Sequence, residues 1–255
     1  VTEQAAAMIR VEGLVKIREQ SESVFELHVP FFEVRPGSLV AVVGESGCGK
    51  STLLDVLALV MEPTRVGRFE IAAVPSAPPV DAAALWRGGD EEALAALRRD
   101  HFGYVLQTGG LLPFLSVRRN IALPGSIAGP GGQGVSRERI ESLAQRMGVA
   151  GCLDRMPSSL SIGQRQRAAI LRALAHRPQL VLADEPTAAV DKGRARAIME
   201  DMHRLARDES VSVVIVTHDT DLVAGRADAV HTFDIEQVSA TVTRSVCRRV
   251  DGGGP

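Results

Sequence analysis

The amino-acid sequence predicts an α/β fold, with a buried parallel sheet, an antiparallel β flank and an inserted helical subdomain. Three observations predict it. Apolar runs at residues 38–43, 180–183 and 211–216 have strand length, and each closes on polar or charged residues. A glycine-rich loop, Gly44-Glu45-Ser46-Gly47-Cys48-Gly49-Lys50-Ser51-Thr52, follows the first run and opens a helical pattern over 51–61. Residues 111–172 read as helical apart from a Gly/Pro-rich interruption at 124–134.

In chain order, residues 8–16 and 24–34 alternate as strands do and would form the antiparallel flank, and 35–38 is the turn that delivers the central strand. The stretch 75–79 reads as irregular. Residues 90–99 have helical spacing, with Asp90, Glu91 and Glu92 favouring the N-terminus, and present the strand that carries Gln107. The expected division is one domain over 1–249, an α/β core of 1–107 and 173–249 around a helical subdomain of 108–172. A tail at 250–255 follows, frayed over 251–255. Neither an internal repeat nor a heptad run is present.

The loop has the spacing Gly, four residues, Gly-Lys-Ser, in the context strand, loop, helix. Glycines let successive backbone N–H groups curl around a polyphosphate, and the helix N-terminus adds roughly half a positive charge. Lys50 then neutralises the outer phosphates, and Ser51 offers a hydroxyl to Mg²⁺, which takes most other ligands from water and phosphate oxygens. Lys50 is one of three lysines, with Lys16 and Lys192, in a chain rich in arginine. Asp184 and Glu185 close a second strand. Such paired acids also serve as helix N-caps, but beside a phosphate loop Asp184 would hold the Mg²⁺ hydration shell and Glu185 would polarise a water in line with the γ-phosphate. Thr217-His218-Asp219 closes the third strand, where His218 is either a turn residue or a sensor of the γ-phosphate.

The set resembles the nucleotide-binding subunit of an ABC (ATP-binding cassette) transporter over nearly the whole chain. Gly44, Glu45, Ser46, Gly47, Cys48, Gly49, Lys50, Ser51 and Thr52 match its Walker A loop, Gln107 its Q-loop, and Leu160-Ser161-Ile162-Gly163-Gln164 its signature turn. Asp184 and Glu185 match the Walker B pair, Ala188-Ala189-Val190-Asp191 the D-loop, and His218 the switch histidine. The resemblance implies a P-loop NTPase (RecA-like) core, with ATP and Mg²⁺ as cofactors. It implies catalytic roles for Glu185, His218 and Gln107, and metal contacts from Ser51, Gln107 and Asp184. It also implies a head-to-tail dimer in which Ser161, Gly163, Gln164 and Asp191 of one copy close over the nucleotide held by Lys50 of the other. The partners would be a second copy and an integral membrane subunit, with the chain peripheral on the cytoplasmic face of the inner membrane. The stretch 97–107 with Leu111-Leu112-Pro113 is similar to the macrolide-export and lipoprotein-release branch, whose ATPases transmit movement through the membrane subunit. Met156-Pro157-Ser158-Ser159 lacks the glutamate-arginine-glycine segment of many fused exporters, which agrees with a stand-alone subunit.

Three positions depart from the family pattern. Ile162 stands where glycine is usual, and is tolerable there only at negative φ. The aromatic residue that stacks on adenine falls at Ile17 or Arg18, neither aromatic. The D-loop departs only conservatively in shape and keeps Asp191 in place to cross the dimer interface. Leu111, Leu112, Phe114 and Leu115 place apolar side chains in a loop, either to pack under the subdomain or to receive helices of a membrane partner.

Composition sets outer limits. With 255 residues the chain buries a sizeable core, and a net charge of −2 advertises no general nucleic-acid surface. No apolar run approaches the ~18 residues of a membrane span, and no signal-peptide pattern is present, so the chain is expected to stay where it is made. Cys48, Cys152 and Cys247 are odd in number and scattered, as in reduced thiols. Two other readings stay open: an ATP-driven signalling or regulatory subunit that moves no solute, and a soluble ATPase of the same type acting on nucleic acid.

Overall fold

In the computed structural model, which describes residues 7–20, 22–72, 77–127, 134–188 and 190–250, the elements follow in this order. They are β1 (Ile9–Gln20), β2 (Ser23–Val34), β3 (Leu39–Val43), α1 (Lys50–Leu57), β4 (Arg68–Ile71), β5 (Val80–Asp81), α2 (Ala82–Gly88) and α3 (Glu91–His101). Then come β6 (Phe102–Val105), α4 (Val117–Ile127), α5 (Arg137–Arg146), α6 (Ile162–Ala175), β7 (Leu180–Asp184), α7 (Lys192–Asp208), β8 (Ser212–Thr217), β9 (Ala229–Gln237) and β10 (Val242–Arg249). The chain divides into two units, Val1–Ala95 with Val214–Pro255, and Ala96–Val213.

The first unit is built on strands in the order β5-β4-β1-β2-β10-β9-β3-β8. The expected antiparallel flank is there: β1 and β2 pair from Ile9 opposite Val34 to Gln20 opposite Ser23. It is larger than the sequence suggested. Strand β4 pairs antiparallel with β1, and the β9/β10 hairpin inserts between β2 and β3, parallel to each at the contact. Arginines and acids on the exposed face of β9 and β10 obscure their alternation in the sequence. Every residue of β3 is buried, as a central strand of β-branched and small apolar residues requires.

Helix α1 stops at Leu57 rather than running to residue 61. Leu59 turns to φ 60° and is buried, and the N–H groups of Val60 and Met61 both return to the Asp55 carbonyl. Burying Leu59 takes precedence over another helical turn. Helix α2, unassigned from sequence, starts on an Asp81 side chain that accepts from the Ala84 N–H. Asp90 caps the next helix in the same way, accepting from the Ala93 N–H. Within the expected irregular stretch, residues 77–79 belong to no helix or strand, and 75–76 lie outside the described residues.

In the second unit β6 and β7 pair in parallel, Phe102 opposite Leu180 through Val105 opposite Ala183. Gly103 lets β6 lie directly on the Ala173 carbonyl of α6, where a Cβ would not fit. The expected break at 124–134 begins too early: α4 continues through Pro124 to Ile127. Pro124 forgoes only the N–H that would bond the Asn120 carbonyl, while Gly125 allows close approach of Val135. Residues 128–133 of that stretch lie outside the described residues. Residues 111–116 are not helical. They wrap around the fully buried Asn120, whose amide accepts from the Leu112 N–H at 2.7 Å and donates to the carbonyls of Leu112, Leu115 and Ser116 at 3.1, 2.9 and 3.1 Å. Helix α7 buries Ala195, Ile198, Met199, Met202 and Ala206, an apolar stripe of helical period.

Val250 still donates its N–H to Val230, whereas the frayed tail expected over 251–255 lies outside the described residues. Next to this C-terminal strand, His231 is buried with its ring 4.5 Å from that of Phe32. Burial pushes its pKa down to about 4, with Arg249 adding to the effect. The unfolded chain therefore binds a proton that the folded chain refuses between that value and the usual ~6.5. Stability should rise as pH increases across this window by about 3 kcal/mol, the penalty being complete below it and absent above it. Urea denaturation of the wild type and His231→Phe at pH 4, 5, 6 and 7 checks this: the stability difference between the two proteins should change across the series. A constant difference would refute the assignment.

Candidate nucleotide-binding site

The phosphate loop is fixed by backbone conformation first. Gly47 at φ 83° and Gly49 at φ 105° occupy regions that a side chain disfavours, and Gly49 forms the N-cap of α1 with no side-chain hydrogen bond. Gly49 has no side chain with which to cap the first N–H groups of α1. A Cβ on Gly49 would stand 3.0 Å from the Phe25 ring, and one on Gly44 would stand 2.7 Å from Cys48 Sγ. Ser245 of β10, fully buried, donates its hydroxyl to the Cys48 carbonyl at 2.6 Å and pins the loop from below. Lys50 Nζ donates to the carbonyls of Gly44 and Glu45, both at 2.8 Å, so the ammonium stands at the rim of the loop. Glu45, Ser46, Gly47 and Ser51 are exposed, and Thr52 is buried. Exposed backbone at the start of a helix, with a cation beside it, fits a polyphosphate.

The hairpin of β1 and β2 forms a wall beside this loop. Arg18 pairs directly across the hairpin with Phe25, and its Nη1 reaches Thr52 Oγ1 at 3.4 Å. Arg18, Gln20, Ser23, Phe25 and Gly47 line a cleft of about 200 Å³. Of the two residues considered for the base, Arg18 lines this cleft; the Ile17 N–H is instead bonded to Thr64 Oγ1. Phe25 was missed in the sequence. Its signal was the strand register, which sets an aromatic residue opposite Arg18. Ser245 was missed as well, since nothing local links position 245 to the loop. His218 follows β8 in this unit and is exposed, with the Asp219 N–H bonded to Thr217 Oγ1.

The second unit carries the remaining predicted residues. Gln107 is exposed after β6. Asp184 ends β7, and Glu185 follows at φ 42°, a conformation that costs a non-glycine residue on the order of 1 kcal/mol or more. Ser161 is the N-cap of α6: its hydroxyl oxygen accepts from the Gln164 N–H at 3.3 Å, and the Gln164 side chain accepts from the Ser161 N–H at 3.0 Å. Gln164 thus serves the cap with its side chain, while the Ser161 hydroxyl proton remains available to donate. Ile162 takes the first helical position with no positive φ, which removes the difficulty of a side chain there. Gly163 also lacks a positive φ, and a Cβ on it would meet nothing within 4 Å. Asp191 caps α7, accepting from the Arg194 N–H at 3.1 Å. Ala189 lies outside the described residues.

Among the described residues no three His, Cys, Asp or Glu side chains gather as a metal cluster. Mg²⁺ that takes most of its ligands from water and phosphate oxygens requires none, and the Ser51 hydroxyl in the first unit and the Asp184 carboxylate in the second are each oxygen donors of the kind it accepts. No helix among the described residues is long and apolar enough to cross a membrane.

Residues 27–188 match the protein family described as "ABC transporter". The chain is 42% identical over 186 residues to the lipoprotein-releasing system ATP-binding protein LolD of Novosphingobium aromaticivorans, covering 73% of this chain and 78% of that protein. It is 37% identical over 226 residues to the macrolide export ATP-binding/permease protein MacB 1 of Yersinia pestis, covering 88% of this chain but only 33% of that longer relative. Among solved structures it is similar to the dimeric structure of MJ0796, a bacterial ABC transporter cassette, with a TM-score of 0.74 and 30% identity over 88% of this chain and 94% of that one.

Cys48 reports on the loop chemically. It is 1% exposed, and burial raises its thiol pKa, outweighing the opposing pull of Lys50. Its alkylation by iodoacetamide, followed by mass spectrometry, should therefore be slower than that of an exposed thiol at pH 8. It should keep accelerating with pH after an exposed thiol has levelled off. Reaction at the rate of the urea-unfolded chain at pH 8 would contradict the buried placement.

Proposed function

We propose a transport-coupled ATPase, and the premise is family: this chain belongs to the ABC transporter family as an ATP-binding and ATP-hydrolysing subunit. Two copies bind ATP head to tail, with the phosphates in the loop 44–52 of one copy and the signature turn of the other closing over the γ-phosphate. Lys50 and the N–H groups at the start of α1 offset the phosphate charge. Ser51, Gln107 and Asp184 hold Mg²⁺, which neutralises charge on the phosphate oxygens. Glu185 orients and deprotonates the attacking water, His218 contacts the γ-phosphate, and Asp191 reaches across the dimer seam. The products are ADP and phosphate. The adenine rests in the cleft between Arg18 and Phe25.

The observation that carries the two-copy reading is the N-terminus of α6. Glycine at position 163 serves no positive φ and relieves no contact among the described residues. In a helix it is less favourable than alanine by about 1 kcal/mol. The open space beside it suits a surface that another molecule must approach closely, and the dimeric structure of MJ0796 supports a second copy as that molecule. We further assign the chain to the lipoprotein-release or macrolide-export type, as a domain spanning 1–249 on the cytoplasmic face of a membrane partner. Similarity to both LolD and MacB supports this type. Phe114, 72% exposed on the loop organised by Asn120, supplies the apolar contact for that partner.

Glu185→Gln should keep ATP affinity, lower hydrolysis by ~10² to 10⁴, and accumulate as a dimer with ATP and Mg²⁺ in light scattering. Gly163→Ala should melt no lower than wild type yet lose that dimer when combined with Glu185→Gln. If the double variant still dimerises fully, the open glycine face is not the closing surface. Wild-type turnover by Glu185→Gln would remove the general-base assignment. Phe114→Asp should leave basal hydrolysis intact while abolishing copurification with the membrane partner.

A further inference from the structure

The turn that follows Gln107 rests on one stripe of the signature helix. Gly109 and Gly110 both have positive φ, 74° and 57°, so their consecutive carbonyls turn toward the helix. Arg172 meets them with its two terminal nitrogens: Nη1 donates to the Gly110 carbonyl at 2.6 Å and Nη2 to the Gly109 carbonyl at 3.0 Å. One and nearly two helical turns earlier, Ala169 and Gln166 lie close to Gly109, 3.6 and 3.5 Å from where its Cβ would stand. Positions 165–166, 169 and 172 share one helix face. Among the described residues Arg172 forms no ion pair with a carboxylate, and burial alone lowers its pKa. Gln166, almost fully buried, has an Nε2 with no hydrogen-bond partner among the described residues. A half-buried cation held by two neutral carbonyls adds little net stability. Its fork instead fixes direction, because two carbonyls of one turn must both face it.

We infer that Arg172 is the positioning residue for Gln107: it fastens the 108–110 turn to α6, so that Gln107 and the Ser161–Gly163 turn are carried by one rigid rod. Ser161 and Arg172 lie eleven residues apart, roughly 16 Å along a helix axis. A movement of the signature turn on meeting a nucleotide is thereby delivered to the Gln107 loop without loss in a flexible joint. Lysine at 172 would not reproduce this, since a single ammonium, a point charge on a flexible stem, does not grip two carbonyls with fork geometry. This role rests on the ATPase reading above, but its first test does not.

Hydrogen–deuterium exchange over residues 106–112 should speed up about tenfold in Arg172→Met and in Arg172→Lys, with the core strands unchanged. ATP affinity, measured with a fluorescent analogue, should stay within about threefold of wild type while kcat falls about tenfold in both variants. In a Gln107→Ala background, Arg172→Lys should cost no further kcat, because the two residues act as one unit. Should Arg172→Met fail to fold, Arg172→Lys, which keeps charge and aliphatic stem, carries all three measurements. Unchanged exchange in the loop, or losses that multiply independently with Gln107→Ala, overturns the inference. A wild-type chain that hydrolyses no ATP defeats the ATPase reading instead, and the exchange result then decides whether Arg172 holds the loop.

Discussion

The conformation of residues 44–50 is the constraint on which the rest depends. A backbone that presents several N–H groups in one direction cannot also satisfy them within a helix or sheet, so such a loop is costly unless its surroundings hold it. Here the left-handed Gly47 and Gly49 set the direction, and Ser245 anchors the Cys48 carbonyl at 2.6 Å. Phe25 and Cys48 fill the space that side chains at 49 and 44 would need. The β9/β10 hairpin, which could pass for decoration on an α/β core, therefore has a definite task. It brings Ser245 under the loop, and its antiparallel pairing with a parallel contact on either side explains why the sheet is mixed.

Backbone strain falls at Leu59, Arg177 and Ser210, and also where the proposed chemistry needs a side chain off the end of a strand. Glu185 at φ 42° leaves the line of β7 immediately after Asp184, so its side chain does not continue the extended alternation of the strand. The distorted residue is held by the turn behind it, where the Ala188 N–H returns to the Glu185 carbonyl. Asp191 then starts α7 two turns of chain later and leaves its carboxylate largely at the surface.

Much of this was legible because short-range rules govern it. The β3 run, the glycine loop, the acids that favour the N-terminus of the helix after Asp90, and the acids closing β7 all follow from local spacing. What escaped the sequence is non-local or competitive. Phe25 joins the cleft beside the phosphate loop only through the hairpin register with Arg18. Helix α1 ended early because Leu59 is worth more in the core than in another turn. Pro124 looked like a terminator, yet a proline costs a helix one hydrogen bond at a definite place, and packing of α4 outweighs it. The concern over Ile162 dissolved for a positional reason: the first residue of a helix has negative φ, so what matters there is the cap before it.

Arginine and asparagine share a task in the second unit that explains why neither is replaced by an apolar residue of similar size. Asn120 satisfies three carbonyls and one N–H of the 112–116 segment, and Arg172 satisfies two carbonyls of the 109–110 turn. Together they supply from helices α4 and α6 the hydrogen bonds that an irregular stretch cannot make for itself. The consequence is a connection that stays irregular in shape yet is bound at both ends to helices. Irregularity lets it expose Gln107 and Phe114, and the bonds keep those side chains from moving independently of the frame. A regular helix there would bury its own polar groups and lose one exposed side chain or the other. A loop without these two residues would expose both but transmit nothing between them.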